Sequence, residues 1–102
     1  KLQPAAEDVK KYVSAAQDVH LEDLWLTLKV KLSEGPWQQQ YIGLCLLQAL
    51  MGCHNKAFGN AVCAHVAGDC ACVQRLAAAQ HKTLSGKAKS LLAKISPGRR
   101  LL

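Results

Sequence analysis

The sequence predicts an all-α fold, a short right-handed superhelix of about six antiparallel helices. Half of the residues are apolar, with Ala and Leu prominent and aromatic residues few, and this composition favours helices over strands. Apolar residues recur at helical spacing in several segments that short turns separate. The third observation is the stretch 37–53, whose apolar side chains point to every side of one helix.

The stretch 37–53 is the predicted centre of the fold. Gln48 is the one strongly polar residue in its second half. A helix that is apolar all round must be surrounded by protein or lipid, and a membrane span needs about 20 apolar residues in a row. The run is shorter than that, so we expect a central helix packed on both sides by its neighbours. Trp37, Tyr41 and Leu44 are expected to begin its buried stripe.

Two helices are predicted before the central one. The first covers residues 4–17, with Pro4 in its first position and with Glu7 and Asp8 in its first turn, where the helix dipole favours anions. The second ends at Gly35, which is followed by a proline. The residues of the second helix that we expect to be buried are Leu21, Leu24, Trp25, Leu28 and Leu32.

Three further helices are predicted after a turn at residues 52–55. The fourth helix ends at Gly68. Asp69 is a suitable N-cap for the fifth helix, and Thr83 or Ser85 for the sixth, because short oxygen-bearing side chains accept hydrogen bonds from the free N–H groups of a helix. The inward positions of the sixth helix are expected to be Leu84, Ala88, Leu91, Leu92 and Ile95.

These helices form one predicted domain, residues 1–96, followed by a flexible basic tail, residues 97–102. The net charge of +6 is unevenly distributed. Residues 1–34 carry five Lys and six acids, which gives −1, whereas residues 35–102 carry eight Lys or Arg and one Asp, which gives +7. A basic C-terminal part suits an anionic lipid surface, nucleic acid or an acidic partner, and the plain alternative is a solvated surface.

The candidate contact residues lie on the last helix and in the tail. On the helix, Lys87 and Lys94 share one edge, and Lys82 and Lys89 share the other exposed side. Near an anionic membrane such charges contribute about 1 kcal/mol each. Nucleic acid is disfavoured because no aromatic residue stands among them for base stacking. The full candidate set for an anionic membrane or a partner is Lys82, Lys87, Lys89, Lys94, Arg99 and Arg100.

A metal site and a catalytic site are both disfavoured. Cys63, His65, Cys70 and Cys72 fall close together, but residues two apart on a helix point about 200° from each other, so one ion would not collect all four. The five cysteines are expected to be reduced thiols that pack as small apolar side chains. Because no nucleophile elbow, phosphate loop or zinc-protease motif is present, we predict no enzyme activity, no cofactor and no small-molecule substrate.

The predicted helix order and the apolar central helix are similar to those of the VHS/ENTH group of trafficking adaptors. The turn CHNKAF at 53–58 resembles the turn that follows the central helix in that group. Three further segments resemble helices of VHS-like domains in coat-accessory proteins: AEDVKKYVSAA at 6–16, LEDLWLTL at 21–28 and TLSGKAKSLL at 83–92. Gly86 departs from the pattern, because the family has Asn there.

The resemblance implies a non-catalytic interaction module of a vesicle-coat accessory protein. Its partner would then be a protein of the trafficking machinery, and its location cytoplasmic, peripheral on Golgi-derived or endosomal coated vesicles. The residues with which VHS domains bind cargo tails and ENTH domains bind phosphoinositides have no matching motif here, so none is carried over. Two alternatives stay open: a phosphoinositide or anionic-membrane-binding module that uses the basic face, and a helical peptide-binding domain of a transcription or RNA-processing factor.

Overall fold

The computed structural model describes residues 5–95, which form six α-helices and no strand. The predicted all-α architecture of about six helices is confirmed, and the right-handed course of the superhelix stays a prediction. Residues 97–102, with Arg99 and Arg100, lie outside the described residues. The helices are α1 (Ala6–Ala16), α2 (Leu21–Ser33), α3 (Trp37–Met51), α4 (Lys56–Ala67), α5 (Ala71–Ala77) and α6 (Lys82–Ile95).

Helix α3 is the centre of the fold, as its all-round apolar sequence predicts. It packs against α1, α2, α4 and α6. Leu44, Leu47 and Leu50 are completely buried within it, and Tyr41 is nearly so. Within residues 5–95 no helix is both long and apolar enough to cross a membrane. The contacts with these four helices cover the apolar surface of α3.

The turns between the first helices follow the predicted signals. Helix α2 ends at Ser33 and α3 begins at Trp37, so the break falls where glycine and proline stand in the sequence. Gly35 has a φ of +84°, a left-handed conformation that glycine adopts without steric cost. After α3, the side chain of Asn55 accepts a hydrogen bond from the N–H of Phe58 at 3.1 Å. This N-cap starts α4 at Lys56.

The predicted caps of the last two helices are wrong. Cys70 is the N-cap residue of α5, without a side-chain cap bond, and the Asp69 carboxylate instead binds an amine on α2. Helix α6 begins before Thr83, which places Thr83 and Ser85 inside it. The Ser85 hydroxyl donates to the carbonyl of Ala77 at 2.6 Å and so joins the end of α5 to α6.

Candidate functional site

The predicted basic face of α6 is divided between two sides of the helix. Lys82 and Lys89 are exposed on one side, and the pair Lys87 and Lys94 lies about 140° away around the axis. Lys94 is exposed, but Lys87 is half-buried and its Nζ donates a hydrogen bond to Oε1 of Gln48 on α3. The four lysines therefore do not form one patch. Those most available to a ligand are Lys82, Lys89 and Lys94.

Burial disfavours the thiolate form of three of the five cysteines. All five cysteines are free. Burial raises the pKa of Cys45 despite the nearby charge of Lys87, which acts in the opposite direction. Burial likewise raises the pKa of Cys63 and Cys72. A reactive cysteine needs a lowered pKa, because the thiolate is the attacking species.

The four ligand-type residues between positions 63 and 72 do not assemble. Over residues 5–95, no three His, Cys, Asp or Glu side chains converge in a way that suits a metal ion. The Cys70 thiol lies 3.9 Å from the carbonyl oxygen of Ala67, and its sulfur accepts a hydrogen bond from the Gln74 side-chain amide at 3.5 Å. Cys72 is buried in the core. Local hydrogen bonds and core packing thus account for these two thiols.

An open groove of about 460 Å³ lies between α2 and the C-terminal turn of α4, and we call it the α2–α4 groove. One wall is formed by the first half of α2. The other wall is the end of α4 and the two residues that follow it, where the small side chain of Ala64 and the lack of one at Gly68 leave space. Its larger lining residues are Glu22, Trp25, Leu26, Lys29, His65 and Asp69.

An ion pair and an indole hydrogen bond hold the two walls of the α2–α4 groove together. Lys29 Nζ lies 2.5 Å from Asp69 Oδ2. The Trp25 Nε1–H donates to the backbone carbonyl of Asp69 at 3.2 Å, while the rest of the Trp25 ring is buried in the core. The hydrogen bond from Lys29 holds the pKa of Asp69 below its usual range. Asp69 is therefore an anion at neutral pH.

Two large aliphatic side chains are exposed on α2, and one of them, Leu26, lines the α2–α4 groove. Leu26 is 51% exposed and Val30, one turn later on α2, is 55% exposed. They lie on the side of α2 opposite its buried residues, such as Leu28. Four of the five residues predicted to be buried in α2 are buried and the fifth, Leu21, is partly buried, but the spacing leaves Leu26 and Val30 without a role. The signal was available, because two aliphatic residues four positions apart lie off that stripe.

A second groove, of about 510 Å³, lies between α1 and the end of α3, and we call it the α1–α3 groove. Val9 and Val13 from α1 and Ala49 from α3 supply its apolar lining. Gln17 also lines the groove, and its Oε1 accepts a hydrogen bond from the Asn55 amide at 3.2 Å. The N-cap of α4 is thus also a link to the end of α1.

Trp37 does not project as an isolated anchor. Its ring lies against the His81 ring, with 3.8 Å between the centroids and an interplanar angle of 31°. Trp37 is half-buried, and it precedes the buried Tyr41 and Leu44 on the same helix. It therefore begins the buried stripe of α3, as the spacing predicts.

Comparisons of the chain with family models, with curated proteins and with solved structures found no match. The likeness to the VHS/ENTH group therefore rests on the sequence segments quoted above.

Proposed function

We propose that this chain is a non-catalytic interaction module that binds a segment of a partner protein at the α2–α4 groove. The observation that carries the proposal is the exposure of Leu26, which lines an open groove, and of Val30 one turn further along α2. Large aliphatic side chains that adjoin one another on a surface mark interaction sites more often than isolated ones do. Covering them with a partner would remove apolar area from water.

The resemblance supplies the more specific part of the proposal, a place in vesicle traffic. The segments 6–16, 21–28 and 83–92 resemble helices of the VHS-like domain of tepsin, an accessory protein of an adaptor complex. The first two segments fall on α1 and α2, and the third falls on α6. On this basis we propose a vesicle-coat accessory role, with a partner from the trafficking machinery.

The non-catalytic part of the proposal is supported by the state of the candidate reactive groups. The thiols of Cys45, Cys63 and Cys72 have raised pKa values, which disfavours a thiolate nucleophile at neutral pH. Asp69 is held as an anion by an ion pair, whereas a carboxyl that serves as a general acid needs a raised pKa.

The test compares partner capture by the full chain and by two matched variants. The double variant L26S/V30S removes the exposed aliphatic groups beside the α2–α4 groove, and V19S removes another exposed valine, 47% exposed, that does not line the groove. We expect a partner that the wild type and V19S retain and that L26S/V30S loses. Titration of the purified partner must then reproduce this order, with circular dichroism confirming that all three chains are folded.

The identity of the captured partner separates the function classes. A coat or adaptor component supports the trafficking role, whereas an RNA-processing or transcription factor supports the alternative class. Equal binding by the wild type and L26S/V30S would remove the α2–α4 groove as the binding site.

A second candidate function, contact with an anionic membrane, is favoured by the exposure of Lys82 and Lys89 on one side of α6. Co-sedimentation with phosphoinositide-containing liposomes at low and high salt tests it. The variant K82E/K89E should lose salt-sensitive binding, while K10E/K11E, the same charge change on exposed lysines of α1, should retain it. Absence of binding at low salt would remove this candidate.

A further inference from the structure

We propose that the segment bound in the α2–α4 groove carries an aliphatic residue close to a lysine or arginine. This inference rests on the proposed function, because it names the chemistry of the partner at the same site. The aliphatic side chain would pack on Leu26 and Val30, and the cationic side chain would lie in the groove itself. The charges that face the groove favour a cation there.

Negative charge predominates in the α2–α4 groove of a protein whose net charge is +6. Two carboxylates line it, Glu22 and Asp69, against one lysine, Lys29, which is already paired with Asp69. The groove is also lined by His65, which is counted as neutral here, as it is in the net charge. Glu22 makes no ion pair within residues 5–95. The groove also contains the C-terminal turn of α4, which ends at Ala67 and whose dipole places partial negative charge there. A cation is therefore the complementary group.

The Lys29–Asp69 ion pair shows how a cation is held in this groove. The Lys29 ammonium occupies one oxygen of the Asp69 carboxylate. The two side chains are 30% and 48% exposed, so a cation from another chain can reach the same carboxylate. Lys29 thus competes with an incoming lysine or arginine. Removing Lys29 should therefore strengthen binding of the partner, whereas removing a residue that lines a binding groove usually weakens it.

The spacing along α2 sets the length of the recognised segment. Glu22 and Val30 are separated by eight positions, and at 1.5 Å per residue this corresponds to about 12 Å along the helix axis. An extended peptide covers that distance in about four residues, at ~3.3 Å each. Leu26 lies midway between them. The structure therefore fits a short motif with an aliphatic residue and a basic residue within about four positions.

A second copy of this chain is a weaker occupant for the same surface. A stable interface buries at least ~1,000 Å² in total, with an apolar centre. The described residues offer only three large exposed aliphatic side chains, Val19, Leu26 and Val30, of which Leu26 alone lines the groove. A short segment that needs only the groove and its rim matches this small area better.

The experiment begins with selection of phage-displayed random peptides on the folded full chain, without assuming any motif. Enriched peptides are synthesised with a fluorescent label and titrated by anisotropy, and their position is mapped from backbone amide shifts. We expect a consensus of an aliphatic residue with Lys or Arg, and shifts centred on residues 22–30 and 64–69. Sedimentation velocity of the chain alone is expected to give a monomer.

Charge variants test the cation directly. E22Q/D69N should lower the affinity for the selected peptide by about fivefold, which is the effect expected for the loss of two exposed charge contacts. D18N/E34Q makes the same charge change at exposed acids that do not line the groove and should leave affinity within about twofold. K29Q should tighten binding by about twofold or more, whereas a merely structural role for Lys29 would weaken it. E22Q alone serves if the double variant is not folded.

Each outcome decides the inference, the proposed function or both. An acidic consensus or a K29Q variant that binds more weakly would overturn the inference and leave a peptide-binding module at the α2–α4 groove. Shifts confined to another surface would overturn the inference and also remove the α2–α4 groove as the binding site. A dimer that L26S/V30S dissociates would make a second copy the occupant and also overturn it. If no peptide is enriched and no partner is captured, the proposed function fails together with the inference.

Discussion

Lys29 Nζ and Asp69 Oδ2 lie 2.5 Å apart and join residues that are 40 positions apart in the chain. The ion pair links α2 to the connection between α4 and α5. Within residues 5–95 it is the one ion pair. Asp69 also accepts the Trp25 indole hydrogen bond through its backbone carbonyl. This short connection is therefore attached to α2 twice, by groups that line the α2–α4 groove.

The ion pair predicts a specific pH dependence of stability. In the folded protein the pKa of Asp69 lies below its ordinary value of 3.8, and the main cause is the hydrogen bond from Lys29. A lowered folded-state pKa stabilises the protein above the unfolded-state value, and this stabilisation is lost as the pH falls through the folded value. As the pH falls below about 5, the wild type should therefore lose more stability than D69N. The difference should be small, because the pair is solvent-exposed.

Urea unfolding of both chains at several pH values measures this effect. D18N is the matched control, since its acid is exposed and does not belong to the ion pair. The stability of D18N should change with pH in the same way as that of the wild type, and not in the way expected for D69N. Parallel curves for the wild type and D69N would show that the ion pair contributes nothing to folding.

The fold was more predictable than the site because the two depend on different ranges of sequence. Helix positions follow from the 3.6-residue spacing of apolar residues, which is local, and the all-round apolar α3 was identified as the centre on that basis. The role of Asp69 was missed because its partner, Lys29, is distant in sequence. The same holds for Lys87, which was predicted to be a free contact but donates to Gln48 on α3. Local pattern cannot reveal such pairs.

Leu26 and Val30 illustrate the opposite case, a local signal that was present but not decisive. A helix with a well-formed buried stripe can tolerate single exposed aliphatic residues, which are common on protein surfaces. Only the position of the stripe relative to α4 places Leu26 at a groove. The sequence can indicate such residues, and the structure supplies the neighbouring wall.

Asn55, the N-cap of α4, should contribute more to the free energy of unfolding than an ordinary exposed asparagine does. Asn55 accepts a hydrogen bond from Phe58 N–H and donates one to Gln17 at the end of α1. N55A should lower the free energy of unfolding by about 1 kcal/mol, the usual cost of losing a capping side chain. N60A, at an exposed interior position of the same helix, should be neutral or slightly stabilising, because alanine favours helix. Equal effects of the two variants in urea unfolding would contradict the capping role.

Truncating a leucine should lower stability in the core, whereas on the proposed surface it should lower partner binding. L44A removes a completely buried side chain of α3, and we expect a loss of about 2–5 kcal/mol. L26A removes a half-exposed side chain, and its effect on stability should stay within about 0.5 kcal/mol. The same L26A chain should bind its partner more weakly. A large stability loss in L26A would mean that Leu26 supports the fold and would weaken the case for an interaction surface.

Two helical glycines should respond in opposite directions to the same substitution. A Cβ at Gly59 of α4 would lie 2.7 Å from the carbonyl oxygen of Met51, a backbone atom that cannot turn away, so G59A should force α3 and α4 apart and destabilise the protein. At Gly86 of α6 a Cβ would meet nothing within 4 Å. G86A should therefore stabilise the protein by about 0.5–1 kcal/mol, since alanine loses less conformational freedom in a helix. Thermal unfolding of the two variants measures both signs, and a stabilised G59A would disprove the close approach of α4 to the end of α3.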